Sequence, residues 1–399
     1  ANGTFAIDFV APTDSDASGG TTISHTNTVD SGNNINWAFS SAISGTVYTD
    51  EGVTTIANGV TVQLVVNGVP VGTGTTTSGV YSISASVNTG DVVLVYIDGH
   101  TTNGTTVTVS NGGALSGLNI YGDHVITRQD NGGALSNANM ATALPSPADG
   151  DIEYSVTTGN LTVSGSSTEL YVWSGDSFTP GGDVTTPAME SLGTFAGGSG
   201  AIDVSDTLTI TAGSFTSTSG NLTIEGNFII QPAASFTHNS GTIFSDGSGD
   251  RTINTGTAAL NHLQLSLSAA STLTVSGNID VNGDFTLNSA DLIDGSGTIT
   301  VAGDVTSTAS TTSGSSTVIR LDGTTLQTIQ VDGVGGTGTF PGFVIVQGGG
   351  GSVNLVDTIL IDSSPGFTHS SGTVNAGTSH LIFGSWDMAV NASGVTFND

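Results

Sequence analysis

Apolar and polar residues alternate along almost the whole chain, and helical spacing is nearly absent. "VTVQLVVNG" from Val60 to Gly68 and "DVVLVYIDG" from Asp91 to Gly99 are representative. Thr, Val and Ile fill such runs, while Gly, Asn, Asp and Ser separate them, which is the chemistry of strands and turns. The pattern predicts an all-β chain.

The alternation changes character along the sequence. Residues 1–40 carry one apolar strand, "FAIDFV", with Phe5, Ile7 and Phe9 on one face, followed by a polar linker from Pro12 to Asn34. A lone strand cannot bury its face, so it must join its own domain or the sheet of a neighbour. Residues 41–110 hold strands about ten residues apart, which reads as a small β-sandwich. Residues 111–150 form a transition segment. It contains Asn-Gly-Gly-Ala-Leu-Ser twice, at Asn111 and Asn131. This reads as one step of a regular coil, or as a hairpin whose two ends share turn chemistry.

From 151 to 399 the repeats are explicit. "GNLTIEGNF" at Gly220, "GNIDVNGDF" at Gly277 and "GTITVAGDV" at Gly297 share one pattern, and "GNLTVSG" at Gly159 is a partial copy. "FTSTSGNL" at Phe215, "FTHNSGTI" at Phe236 and "FTHSSGTV" at Phe367 share a second, and "DGSGDRTI" at Asp246 matches "DGTTLQTI" at Asp322. A unit of about 20 residues in short strands cannot bury its own apolar face, but stacked copies make one continuous core. The expected fold is therefore an N-terminal Ig-like β-sandwich followed by a parallel β-solenoid, or β-helix. Gly220, Gly277 and Gly297 are expected at equivalent corners.

Residues 41–110 resemble the carboxypeptidase-regulatory-like and collagen-adhesin B-type repeats of bacterial surface proteins. The likeness lies in Ser44-Gly45-Thr46-Val47 and in Gly79-Val80-Tyr81-Ser82-Ile83. The Phe-Thr-His repeats and "ELYVWSGDSFTPGG" at Glu169 resemble bacterial cell-surface proteins in which an Ig-like module precedes a run of β-strand repeats. That resemblance implies an architecture and brings no active site. Adhesin repeats often carry a Lys–Asn isopeptide bond, which a chain without Lys cannot form.

Charge narrows the partners. The chain has 3 basic and 33 acidic residues, a net charge of −30, and no Lys or Cys. Such a surface repels nucleic acid and anionic lipid, both of which need clustered cations. No apolar run is long enough to span a membrane. The 36% hydrophobic content, placed at regular intervals, argues against disorder. A chain with only three basic residues offers trypsin-like proteases few sites, and an extracellular or cell-surface location is expected.

Candidate chemistry is sparse. A solenoid lyase would need a basic residue, and Arg251 and Arg320 lie near Asp-Gly turns. A glycosidase would need two convergent carboxyls, with candidates among Asp246, Asp250, Asp280, Asp284, Asp291 and Asp294. Most of these sit beside Gly, where Asp serves turn geometry. Calcium suits the acidic turns better, through Asp280, Asn282 and Asp284 or through Asp149 and Asp151; the alternative is a solvated acidic edge. His238 and His369 hold the same place in the Phe-Thr-His repeats, which suggests a structural role. Trp37, Trp173 and Trp386 read as core or capping aromatics. Glycosylation sequons begin at Asn2, Asn103, Asn160, Asn221 and Asn391.

No catalytic residue and no cofactor other than calcium is expected. The function expected is that of a structural subunit of an extracellular polymer, a filament, sheath or surface layer, partnered by itself and joined by exchange of the Phe5–Phe9 strand. Alternatives are a monomeric adhesin stalk that binds glycans or a host surface, and a β-helix carbohydrate-active enzyme.

Overall fold

The computed structural model describes residues 7–8, 11–19, 23–26, 32–33, 37–266, 271–288, 292–307, 317–331, 337–340, 342–346, 351–361, 367–376, 379–383 and 395–398. The chain divides into two compact units, Ala1–Gly182 and Asp183–Asp399. Both are built from β-strands, and parallel solenoid pairing begins near residue 105 and is met as far as about 375. Among the described residues no helix is long and apolar enough to cross a membrane.

In the first unit, Thr61–Val66 pairs antiparallel with Val69–Thr75 and with Thr89–Asp98, which pairs antiparallel with Thr105–Asn111. Trp37–Tyr48 pairs antiparallel with Val80–Ala85. Ile43, Val47, Leu64, Tyr81, Ile83, Val93 and Val95 share one buried cluster. That cluster also takes in Leu115, Leu118 and Ile120, from the stretch expected as a transition segment. Trp37–Tyr48 is the reason, because Val47 and Tyr48 pair in parallel with Ile120 and Tyr121.

The same stretch holds the first coil step. Thr105–Asn111 and His124–Thr127 are parallel, with Val125 opposite Thr105. The two Asn-Gly-Gly-Ala-Leu-Ser copies therefore recur with the period of the strands. Leu115 and Leu135 are both buried, each through a parallel bridge, to Ile43 and to Phe178. Ser136, the end of the second copy, caps the short helix Asn137–Ala143.

Four expectations are corrected, the last of them in the placing of Gly220. Parallel stacking starts well before residue 151, because Thr105–Asn111, antiparallel to Thr89–Asp98 on one side, is on the other the first coil strand. The copy at Gly159 is no coil corner: Tyr154–Thr157 and Asn160–Val163 form an antiparallel hairpin around it. The polar linker contains a strand, Ile23–Thr26, which pairs in parallel with Ile7–Asp8 and with Trp37–Ser40. Phe5 and Phe9 lie outside the described residues.

The second unit is a stack of parallel coils whose interior is made of ladders. Val184, Ile202, Leu222, Ile243, Leu263, Phe285, Val305, Ile329 and Leu355 follow one another in register on successive strands, all buried. Met189, Leu208, Phe228, Ile253 and Val275 form a second ladder. Phe195, Phe215 and Phe236 form a third. Parallel pairing satisfies the backbone, and each ladder gives the next coil a matching apolar row.

The shared motif does not mark one corner. Gly277 and Gly297 are equivalent, since Ile279 lies opposite Ile299. The Gly220 motif sits elsewhere: its Leu222 stands in the ladder that contains Phe285, not Ile279. A strand–corner–strand motif fits any pair of faces, so its sequence does not say which pair it occupies.

The Asp246 and Asp322 motifs share a device. Arg251 and Gln327 occupy the same motif position and both are buried. Arg251 donates from Nη1 to the Glu225 carbonyl at 2.7 Å and from Nη2 to the Gly247 carbonyl at 2.7 Å. Gln327 Nε2 donates to the Val301 carbonyl at 3.0 Å, while its Oε1 accepts from Gly323 N–H at 3.0 Å. Each side chain ties its corner to the coil before it. Arg251 is thereby committed to structure, and Arg320 is exposed.

Candidate functional site

The acidic turns of the two units meet different fates. In the second unit, carboxylates and amides at corners accept backbone N–H groups from the next coil. Asp284 Oδ1 accepts from Asp304 N–H at 2.9 Å, and Asp304 Oδ1 from Thr328 N–H at 2.7 Å. Asp250 does the same for Thr272 at 2.8 Å, and Asn278 for Thr298 at 3.2 Å. Asp284 also lies 3.5 Å from His262 Nδ1. Asp280 and Asn282 are exposed, and the Asn282 N–H donates to the Leu260 carbonyl at 2.9 Å. Asp284 is thus a coil-to-coil cap. Asp291 and the side chain of Asp294 lie outside the described residues.

In the first unit, Asp149 and Asp151 come together with a third carboxylate, Asp98, and one oxygen of each lies within 4.8 Å of the others. Asp98 ends the strand Thr89–Asp98, and the other two follow the short helix. Tyr96 Oη donates to Asp149 Oδ2 at 2.9 Å, and Gly99 N–H to Asp151 Oδ2 at 2.6 Å. Three oxygens at this spacing are of the kind calcium takes. Sequence reasoning found two of the three; Asp98 is brought in by a contact between distant parts of the chain.

Burial, then the charges of Asp149 and Asp151, push the Asp98 carboxyl above its ordinary range. A carboxyl whose folded pKa is raised binds its proton more tightly when folded. Its contribution to stability therefore declines as pH rises from the unfolded value, about 3.9, through the folded one. Asp98→Asn is expected to raise the thermal midpoint at neutral pH without divalent cations. The gain should stay below about 1 kcal/mol, because the group is partly solvated, and should vanish below about pH 3.9. A lower midpoint at neutral pH would contradict the reading.

A second cluster surrounds His124, the first residue of the strand His124–Thr127. Glu169 opens the neighbouring strand directly opposite it, and Glu51 follows Trp37–Tyr48. His124 Nε2 lies 3.4 Å from Glu51 Oε1 and 3.5 Å from Glu169 Oε2. Nδ1 faces the Gly122 carbonyl, which can only accept, so Nδ1 carries the proton. Burial is the largest influence on the imidazole and lowers its pKa. Polar contacts with Glu169 and Gly122 and the charges of Glu169 and Glu51 together outweigh it and hold the value above the ordinary one. Nearby, Glu153 accepts from Thr168 Oγ1 at 3.0 Å and from Asn103 Nδ2 at 3.3 Å, and burial pushes its carboxyl upward.

Aromatic rings wall this cluster. Tyr121 and Tyr171 meet His124 edge-on at 5.7 and 5.9 Å, and Tyr48 and Trp173 pack against Tyr121, both at 5.7 Å. Trp173 is therefore part of an aromatic group and remains half-buried. The side chain of Trp37, and all of Trp386, lie outside the described residues. No sequence motif announced the cluster, because the helix and hairpin between residues 127 and 169 separate its two strand residues.

His238 and His369 keep local, backbone-directed roles. His238 Nδ1 accepts from Ser240 N–H at 3.0 Å, and His369 Nε2 lies 3.2 Å from the Gly372 carbonyl. Among the sequons, Asn103 binds Glu153, Asn160 is half-buried at a strand start, and Asn221 is exposed. Asn2 and Asn391 lie outside the described residues. Comparison of the chain with protein-family models, with curated proteins and with solved structures returned no match.

Proposed function

We propose that the chain is a structural subunit of an extracellular polymer, a filament, sheath or surface layer. The observation that carries this reading is the uniform fastening of coil to coil. The same apolar ladders and the same corner caps recur from one coil to the next, so each coil offers its neighbour the kind of edge it receives. The start of the stack is covered by the antiparallel strand Thr89–Asp98, whereas a parallel edge at its far end is one to which a strand of another copy can add, and a head-to-tail contact of that type propagates into a filament. The Lys-free, acidic composition supports an extracellular setting. We read residues 41–110 as the Ig-like sandwich of this subunit, supported by the strict alternation of exposed and buried residues along Val80–Ala85.

The joint in this proposal is the N-terminal strand. Ile7–Asp8 pairs with Ile23–Thr26 in its own chain. Exchange would move that pairing to a neighbouring copy, with Phe5, Ile7 and Phe9 as its apolar row. Electron microscopy and light scattering of the parent and of a chain lacking residues 1–12 test it. The parent should polymerise, and the shortened chain should stay folded and monomeric. Unchanged polymerisation of the shortened chain overturns strand exchange. A monomeric parent overturns the polymer. That outcome would favour a second reading, a monomeric stalk with a glycan surface, which the part-exposed Tyr48 and Trp173, both packed on Tyr121, support.

A further inference from the structure

We propose that Glu51, His124 and Glu169 form a binding site for a divalent cation of the zinc class. The ligands are His124 Nε2 and one oxygen from each carboxylate. The site stands apart from the polymer reading and from the all-oxygen Asp98 cluster.

The first support is distance. A charge-assisted hydrogen bond from imidazolium to carboxylate is shortest at about 2.7–2.9 Å. The two separations here are 3.4 and 3.5 Å. Ligands held at about 2.0–2.1 Å from a tetrahedral zinc are separated by roughly 3.3–3.5 Å. The pairs around His124 match the edge of that tetrahedron better than they match direct hydrogen bonds. The third edge is also within reach, since all three ligand atoms lie within 4.8 Å of one another.

The second support is orientation. Metal-binding histidines characteristically give their other ring N–H to a carbonyl or carboxylate, which fixes the tautomer and aims the free nitrogen. Gly122 plays that part for Nδ1 and leaves Nε2 facing the two glutamates. The Tyr121 and Tyr171 rings hold the imidazole edge-on, and only 10% of its side chain is exposed. The ring is thus buried, aimed and unable to swing away. Glu51, with 47% of its side chain exposed, gives an ion a route from solvent.

The third support is charge and ligand type. Two carboxylates share one imidazole, so the three side chains leave a net negative charge that a divalent cation balances. Calcium and magnesium favour oxygen ligands, whereas a set of one imidazole and two carboxylates suits zinc and its first-row neighbours.

The test uses the full chain, freed of metal with a chelator, in a non-coordinating buffer near neutral pH. Zinc chloride is titrated calorimetrically, and bound metal is counted by mass spectrometry after gel filtration. Cobalt(II), whose visible spectrum reports coordination geometry, is the second probe. The parent should take up one zinc, show a tetrahedral cobalt spectrum and keep its zinc in excess calcium. Glu51→Ala, on an exposed turn that leaves the fold intact by circular dichroism, should lose affinity by at least about tenfold. His124→Gln should lose the cobalt spectrum, and Asp98→Asn should bind as the parent does. The proposal is overturned if the parent binds no zinc, or if Glu51→Ala and His124→Gln bind it with parental affinity. It also fails if Asp98→Asn abolishes uptake. The first of these outcomes would leave His124 as an ion-pairing imidazolium.

Discussion

Phe215→Ala is expected to destabilise the coils around it by about 3–5 kcal/mol. Phe215 is 1% exposed and sits in mid-ladder. Its ring stacks on Phe195 at 4.5 Å and 13°, and on Phe236 at 5.9 Å and 11°. Alanine would open a cavity and remove both ring contacts, each worth about 0.5–1.5 kcal/mol beyond burial. Coils in a solenoid contact only their neighbours, so the loss should stay local. Amide hydrogen exchange should accelerate at Thr194–Ala196, Gly213–Thr216 and Ala234–Thr237, the three strands of this ladder. The rise should be on the order of a hundredfold or more, at about 1.4 kcal/mol per factor of ten. Strands far along the stack, such as Ser352–Val356, should exchange as before. A uniform acceleration along the chain would show that the coils do not behave as nearest-neighbour units.

A comparable loss is expected from a single methyl group at Gly297. A Cβ there would lie 1.9 Å from the carbonyl oxygen of Gly277, the equivalent corner one coil earlier, and 2.7 Å from Val275 Cγ1. Gly277 itself holds φ at +84°, a conformation L-residues seldom adopt, so that carbonyl is fixed by its own turn. Neither backbone can yield without breaking the Ile279–Ile299 pairing that follows. Gly297→Ala should therefore cost about 3 kcal/mol or more, at the upper end of overpacking effects. Gly249→Ala is the control: a Cβ there meets nothing within 4 Å, and the change should stay within about 0.5 kcal/mol. Limited proteolysis and thermal unfolding of both variants check the contrast. Equal stability of the two would remove the corner contact from the account of the fold.

Much of the solenoid was legible because its physics is local. Alternation shows in any run such as Ile279–Val281, with two buried positions around an exposed one. The coil period shows wherever a corner reuses its residues. The Phe-Thr repeats at 215 and 236 do stack ring on ring, and the two Asn-Gly-Gly copies do mark one coil step. What stayed hidden depends on the third dimension. A corner motif fits any two faces, so Gly220 could not be told from Gly277. Turn residues serve a hairpin as well as a coil, so the copy at Gly159 misled. The polar linker concealed Ile23–Thr26, whose pairing comes from its two neighbours rather than from apolar content. The candidate sites were the least legible. Asp149 and Asp151 stood out as a short acidic pair, but Asp98 joins them only through folding. His124 and Glu169 are register partners across an inserted helix and hairpin, and no spacing rule connects them to Glu51.

The regular register of the coils has a consequence for how such a chain can change size. Ile279, Ile299 and Ile319 stand in one column, each a single coil beyond the last. Deleting one residue from a strand would turn every following side chain of that strand to the opposite face. Duplicating or deleting a whole coil would leave inside and outside as they were. Each such event changes the stack by one strand spacing, about 4.7–4.9 Å. The interior ladders thus make length a quantised trait: the molecule can be lengthened or shortened in fixed increments, like a ruler with graduations, while its cross-section is kept.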